Sequence, residues 1–171
     1  NKGVGAAIVT GYKEALKDCM DVIAVMAGDN QMDPLELPKL LDPVINGDAD
    51  YSKGDRLSSP GLSMGMSNWR KFGNNLLTLL TRISSGYWDL HDPQNGYTVI
   101  SRQALEQIDL DRVYPGYGYC NDLLAKLNLL DMRVMDVQIP ARYGEEKSKI
   151  RYGSYIRKVS LLLLKNFLWR I

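Results

Sequence analysis

The stretch Asp21-Val-Ile-Ala-Val-Met-Ala-Gly-Asp-Asn-Gln-Met-Asp-Pro34 limits what this chain can fold into more than any other: an apolar, β-branched run gives way abruptly to glycine, acids and an amide. Val22 to Met26 reads as a strand covered on both faces, as strands of α/β sheets are. In such sheets ligands sit in the crevice beyond the carboxyl ends of the strands, and Asp29 would project there. A carboxylate with a neighbouring amide oxygen, Gln31, is a donor set for Mg²⁺ or Mn²⁺, which share oxygen ligands with substrate phosphates. The same residues also suit a plain strand-ending turn in which Asp29 and Asn30 bond the local backbone. From this segment alone both readings stay open.

The next residues predict a helix. Asp33 is placed as N-cap, Pro34 at the first helical position and Glu36 for a capping box, with the helix running to Ile45 and stopping at Asn46-Gly47. A second strand near Asp50 to Lys53 then makes a βαβ unit with a parallel pair, the metal candidate lying in its crossover loop. Further on, the pattern predicts a helix over 68–85, a strand over 97–100, a short helix after Ser101, a helix over 122–130 and a strand over 132–139.

Charge and composition exclude several classes. The chain has 171 residues, 45% hydrophobic and 24% charged, with a net charge of +1. That supports one domain with a packed core and argues against disorder or bulk attraction to nucleic acid. Cys19 and Cys120 lack metal-ligand spacing and read as core residues in a reducing compartment. No run reaches the roughly 18 apolar residues of a membrane span.

Three segments carry candidate chemistry. Lys53, Arg56 and Arg70 flank a Gly/Ser-rich stretch whose composition allows close approach to phosphate, although taken alone these cations read as a solvated loop. Asp92 to Gly96 is a turn with an acid, two amides and a glycine; His91, the single histidine, reads as a loop residue. From Lys147 to Ile171 there are seven basic residues and no acid, and after Tyr155 a leucine run is joined by Phe167 and Trp169. Residues 155–171 thus suit a helix lying in a membrane interface, or equally a helix packed on protein.

Five motifs in order carry a family resemblance. Val25 to Pro34 resembles the Asp-x-Asp-x-Gln motif of family 2 glycosyltransferases, in the branch resembling dolichyl-phosphate mannose synthase. Asp29 matches the second aspartate and Gln31 the glutamine, while Ala27 replaces the first aspartate. Asn1 to Ala15 resembles the helix before that motif, and Asp50 to Arg56 the next strand and loop, with Arg70 where relatives place a second arginine. Asp92-Pro-Gln-Asn-Gly96 resembles the acceptor-side Asp-x-x-Ser/Asn-Gly motif. The segment from Ile139 through Arg142 to Ser148-Lys149 resembles the late loop ending in Ser-Lys.

The resemblance implies a GT-A, Rossmann-like α/β fold with a mixed sheet flanked by helices, of which residues 1–154 form the later portion, without the two leading βα units that hold base and ribose. It implies a metal, Mg²⁺ or Mn²⁺, at Asp29 and Gln31. Substrate contacts would come from Gln31, Lys53, Arg56, Arg70, Asn95, Arg142, Ser148 and Lys149. Asp92 would orient the acceptor, and Asn121 or Asp122 would fill the position where relatives carry an acid; since an asparagine cannot accept a proton, Asp122 would act as general base, although locally it suits a helix cap equally well. The implied reaction moves a sugar with inversion from a nucleotide-sugar donor to a polyprenyl phosphate, at the cytoplasmic face of a membrane. Two rivals remain: a nucleotidyltransferase of similar fold, which needs activating lysines upstream, and a degenerate binding or membrane-recruitment module, which would lack metal-dependent sugar-nucleotide chemistry.

Overall fold

A computed structural model describes residues 2–58, 68–140 and 152–171; of these, the side chains of 68–72, 74 and 152–154 are not described. Helix α1 (Val4–Lys17) leads to β1 (Val22–Val25), followed by a 3₁₀ turn (Pro34–Glu36) and α2 (Leu37–Ile45). Then come β2 (Tyr51–Asp55), α3 (Asn68–Ser85), β3 (Thr98–Ser101), α4 (Arg102–Gln107) and a second 3₁₀ turn (Leu110–Arg112). Helix α5 (Tyr119–Leu129), β4 (Val134–Gln138) and α6 (Tyr152–Arg170) complete the order.

The strands form one mixed sheet in the order β1-β3-β2-β4. β3 runs antiparallel to both β1 and β2, with Val25 and Lys53 each opposite Thr98, while β4 is parallel to β2. This corrects the expected βαβ unit: β1 and β2 point the same way, but β3 is inserted between them and they share no ladder. It also corrects the burial expected of β1. That strand is the edge of the sheet among the described residues, with Ala24 and Met26 exposed, whereas every residue of β2 is buried. An apolar β-branched run reports that a strand packs somewhere, not whether it has neighbours on both sides.

Two cores flank the sheet. On one face Tyr51 and Ile100 pack with Leu105, Leu123, Leu124 and Leu127. On the other, α2 delivers Leu40 and Val44 against Val99, Tyr97 and Ile139. Full burial of each such side chain contributes about 1.5–3 kcal/mol. The Asp33-Pro34 signal starts a 3₁₀ turn rather than α2 itself: the Asp33 carboxylate accepts from Leu35 N at 3.0 Å, Pro34 is the first residue of the turn, and α2 follows from Leu37. Glu36 takes Lys39 at 2.7 Å. Gly5 lets α1 lie against the 114–115 backbone; a Cβ there would collide with the Tyr114 carbonyl oxygen and stand 2.9 Å from the Pro115 carbonyl carbon. Because backbone cannot swing aside as a side-chain end can, Gly5→Ala is expected to cost about 1–3 kcal/mol in thermal or urea melts.

The two cysteines differ. Cys120 is in the core as expected, and burial pushes its thiol up to about 11. Cys19 is exposed with φ 56°, in the left-handed position that ends α1, where Met20 N donates to the Ala15 carbonyl at 3.0 Å. Ending a helix needed that backbone conformation more than the core needed a thiol. Thiol reagents at neutral pH are therefore expected to label Cys19 and to reach Cys120 only on unfolding, as peptide mapping would register; equal labelling of both in the native state would contradict this placement.

Candidate functional site

Strand direction gathers the chemistry at one edge of the sheet. The carboxyl ends of β1, β2 and β4 and the amino end of β3 lie side by side there, since Val25 and Lys53 face Thr98 and Asp55 faces Gln138. The Asp29 loop, the Asp55-Arg56 corner and the 91–97 turn all emerge from this edge. Tyr97 OH ties two of them together by donating to the Asp33 carbonyl at 3.0 Å. Arg142, Ser148 and Lys149 belong to the segment leaving β4 at the same edge, but they lie outside the described residues, as does the side chain of Arg70.

Asp29 sits in an exposed turn. Its Oδ1 accepts from Gln31 N at 3.2 Å, and Asn30 takes a left-handed φ of 61°, a conformation asparagine tolerates. Ala27, in the place of the family's usual first acid, donates its N–H to Met32 Sδ at 3.0 Å. Among the described residues no hydrogen bond reaches the second carboxylate oxygen of this exposed side chain, which leaves that oxygen available to a ligand. Gln31 is half-buried beside it. The local-turn and metal readings are therefore compatible: one oxygen shapes the turn and the other remains for a ligand.

Asp92 and Arg56 are brought together. The buried Asp92 carboxylate accepts from Arg56 Nε at 2.7 Å, Nη2 at 3.2 Å and the Arg56 backbone N at 3.3 Å. The arginine fork is thus turned onto the acceptor-motif aspartate. Asn95 caps the same turn, its Oδ1 accepting from Tyr97 N at 3.0 Å, while its buried Nδ2 has no partner among the described residues. Gly54 leaves room for that amide: a Cβ there would lie 2.6 Å from Asn95 Nδ2.

The other candidates sit deeper. Lys53 is buried and donates to Asp136 Oδ1 at 2.6 Å. Asp122, in the first turn of α5, accepts from Tyr114 N at 2.8 Å and Lys126 Nζ at 2.7 Å. Both carboxylate and lysine are nearly buried on α5, and the Tyr114 N–H to Asp122 bond clasps the helix to the preceding loop. Sequence reading missed Gln94. Its Nε2 donates to the buried Asn121 Oδ1 at 2.6 Å, and its Oε1 accepts from Tyr155 OH at 3.1 Å. The first turns of α6 are thereby linked to the Asp92 turn, a contact no local pattern announces.

Helix α6 packs on α3 and α5 through Val159, Leu162, Leu163 and Asn166. Arg170 donates to the carbonyls of Ser84 and Ile83, and Lys126 lies 5.4 Å from the Trp169 ring centre. Its outer face leaves Ile156, Leu161, Leu164, Leu168 and Trp169 exposed, next to exposed Leu76, Leu79, Leu80 and Ile83 of α3. No helix among the described residues is long and apolar enough to cross a membrane.

Comparison with known proteins agrees with this geometry. The family model described as glycosyl transferase family 2 matches residues 1–109. The UDP-N-acetylglucosamine–dolichyl-phosphate N-acetylglucosaminyltransferase of Methanococcus voltae is 31% identical over 147 residues, 85% of this chain and 57% of that protein. The polyprenol monophosphomannose synthase of Mycolicibacterium smegmatis is 31% identical over 160 residues, 91% of this chain and 58% of that one. The chain therefore spans somewhat over half the length of these relatives. Among solved structures, glucosyl-3-phosphoglycerate synthase from Mycobacterium tuberculosis in complex with Mn²⁺, UDP-glucose and phosphoglyceric acid superposes with a TM-score of 0.67 at 18% identity, covering 98% of this chain and 54% of that one. That likeness establishes the α/β, GT-A-type fold.

Proposed function

We propose, from the premise that this chain belongs to glycosyltransferase family 2, that it forms the later portion of a catalytic domain transferring a sugar from a nucleotide-sugar donor to a polyprenyl phosphate. The observation that carries this reading is the convergence of the Asp29 loop and the Arg56–Asp92 pair at one sheet edge. The relatives' names support the substrate class, since two of them act on dolichyl or polyprenol phosphates. The neighbour that carries Mn²⁺ with UDP-glucose supports a divalent cation.

Asp29, through its second carboxylate oxygen, and Gln31 would hold Mg²⁺ or Mn²⁺. Bound there, the cation supplies positive charge against the oxygen of the departing nucleoside diphosphate. Arg56, fixed by Asp92, approaches phosphate in a defined orientation rather than as a loose surface charge, with Arg70 and the 142–149 segment completing the phosphate contacts. A phosphate acceptor is ionised near neutral pH and attacks directly from the face opposite the leaving group, giving inversion. No strong general base is then required. Asp122, paired with Lys126, holds α5 beneath the site, and a proton-accepting role for it would have to displace that lysine.

The exposed leucines of α6 and α3, with the basic residues of α6, favour a lipid-linked acceptor and a place on the cytoplasmic face of a membrane. Removing α6 would also strip its buried face, so outward substitutions test the idea more cleanly. Leu161→Glu with Leu164→Glu is expected to abolish flotation with anionic vesicles while leaving the melting temperature unchanged. Flotation equal to wild type would place membrane attachment elsewhere.

Product analysis tests the reaction. The full-length protein, given UDP- and GDP-sugars with Mn²⁺, is expected to glycosylate a polyprenyl phosphate and to leave phosphoglycerate untouched. Exclusive use of phosphoglycerate would replace the lipid acceptor with a small phosphorylated one. Absence of any sugar transfer would favour the degenerate-module reading.

A further inference from the structure

Beside the proposed donor site lies a second group of ligating side chains. Asp55 at the end of β2, Asp136 in β4 and His91 before the Asp92 turn place one donor atom each within 4.8 Å of one another. They line a cleft of about 320 Å³ open to solvent. His91 Nδ1 stands 3.4 Å from Asp136 Oδ2 and 3.9 Å from Asp55 Oδ2.

The surroundings orient these groups. Asp55 Oδ1 accepts from Leu57 N at 2.8 Å and Ser58 N at 3.0 Å, which fixes the carboxylate plane. Lys53 holds Asp136 Oδ1 at 2.6 Å, and His91 N donates to Asp136 Oδ2 at 2.6 Å. Asp55 is therefore anchored on Oδ1 and presents Oδ2 towards the imidazole, while Asp136 is held on both oxygens with Oδ2 on the imidazole side, the way outer-shell partners aim metal ligands. The Asp55 side chain is 2% exposed, and among the described residues its Oδ2 makes no hydrogen bond, facing His91 Nδ1 at 3.9 Å instead. A nearly buried carboxylate whose facing partner stands beyond hydrogen-bond reach gains from a cation placed between the two. His91, half exposed, provides the path of entry.

We propose that Asp55, His91 and Asp136 bind a divalent transition-metal cation, at a site separate from Asp29. Two carboxylates and an imidazole suit Mn²⁺, Fe²⁺ or Zn²⁺ better than Mg²⁺, which prefers oxygen ligands alone. Lys53 cancels part of the negative charge, so the site binds more weakly than an uncompensated pair of acids. Because Arg56 follows Asp55 and pairs with the Asp92 that follows His91, such an ion would clamp β2 to the turn carrying the acceptor motif.

Mn²⁺ is the probe and the full-length Asp29→Asn protein the background, which keeps this test apart from the role given to Asp29. Pulsed electron paramagnetic resonance of the bound Mn²⁺ is expected to register nitrogen coupling from a ligating imidazole. Adding His91→Gln should remove that coupling, weaken Mn²⁺ binding by about tenfold or more, and abolish the Mn²⁺-dependent rise in melting temperature. Nitrogen coupling and affinity that survive His91→Gln would overturn the proposal. So would an Asp29→Asn protein with no Mn²⁺ response at all.

Discussion

Asp29→Asn in the full-length protein is expected to lower kcat/KM for sugar transfer at least about a hundredfold, equivalent to about 2.7 kcal/mol of transition-state stabilisation. The asparagine keeps an oxygen for the turn, so Gln31 N retains its acceptor, while the charge that would hold the cation is gone. Asp29 is exposed, and melting temperature should not move. Gln31→Ala should cost less, because a neutral amide contributes orientation rather than charge. Transfer by Asp29→Asn at the wild-type rate with the same Mn²⁺ dependence would remove this residue from the mechanism.

The second large effect concerns Arg56 and Asp92. If Arg56 were only a solvated substrate contact, as its sequence suggests, Arg56→Lys would weaken substrate binding and leave stability alone; the structure gives a different expectation. Asp92 is buried, and Arg56 meets it with two guanidinium nitrogens and its own backbone N–H. Removing one member of a buried pair costs about 3–5 kcal/mol, and partial exposure of the arginine reduces this to about 2–3 kcal/mol for Asp92→Ala. Arg56→Lys loses the two-point contact and should destabilise by about 1 kcal/mol as well as slowing transfer. In a double-mutant cycle by chemical denaturation, Asp92→Ala with Arg56→Ala should fall well short of the sum of the single changes. Additive losses would mean the pair does not hold the turn.

Local signals were legible where local physics decides. The Asp33-Pro34 start of the turn that runs into α2, the Asn46-Gly47 stop of α2, the 68–85 span of α3 and the Ser101 cap of α4 all follow from capping and periodicity. What the sequence did not carry is pairing across distance. Nothing near Val22 announces that β3, some 75 residues later, rather than β2, is its neighbour. Nothing near Asp92 names Arg56, and nothing near His91, a loop residue as expected, names its carboxylate neighbours, which come from two strands that only the fold brings together. The same holds for α6, whose leucine run divides into a buried stripe and an exposed one only once α3 and α5 are in place. Resemblance assigned Asp29, Arg56 and Asp92 to one site; the mixed sheet brings the loops that carry them to one edge.

The central claim is that the sheet edge at Asp29 holds the donor's divalent cation. Anomalous scattering from crystals of the full-length protein grown with Mn²⁺ and UDP tests it most directly. The account predicts a Mn²⁺ peak within coordination distance of the Asp29 carboxylate and the diphosphate. A diphosphate-bound Mn²⁺ ligated by other residues, with no density at Asp29, would contradict it.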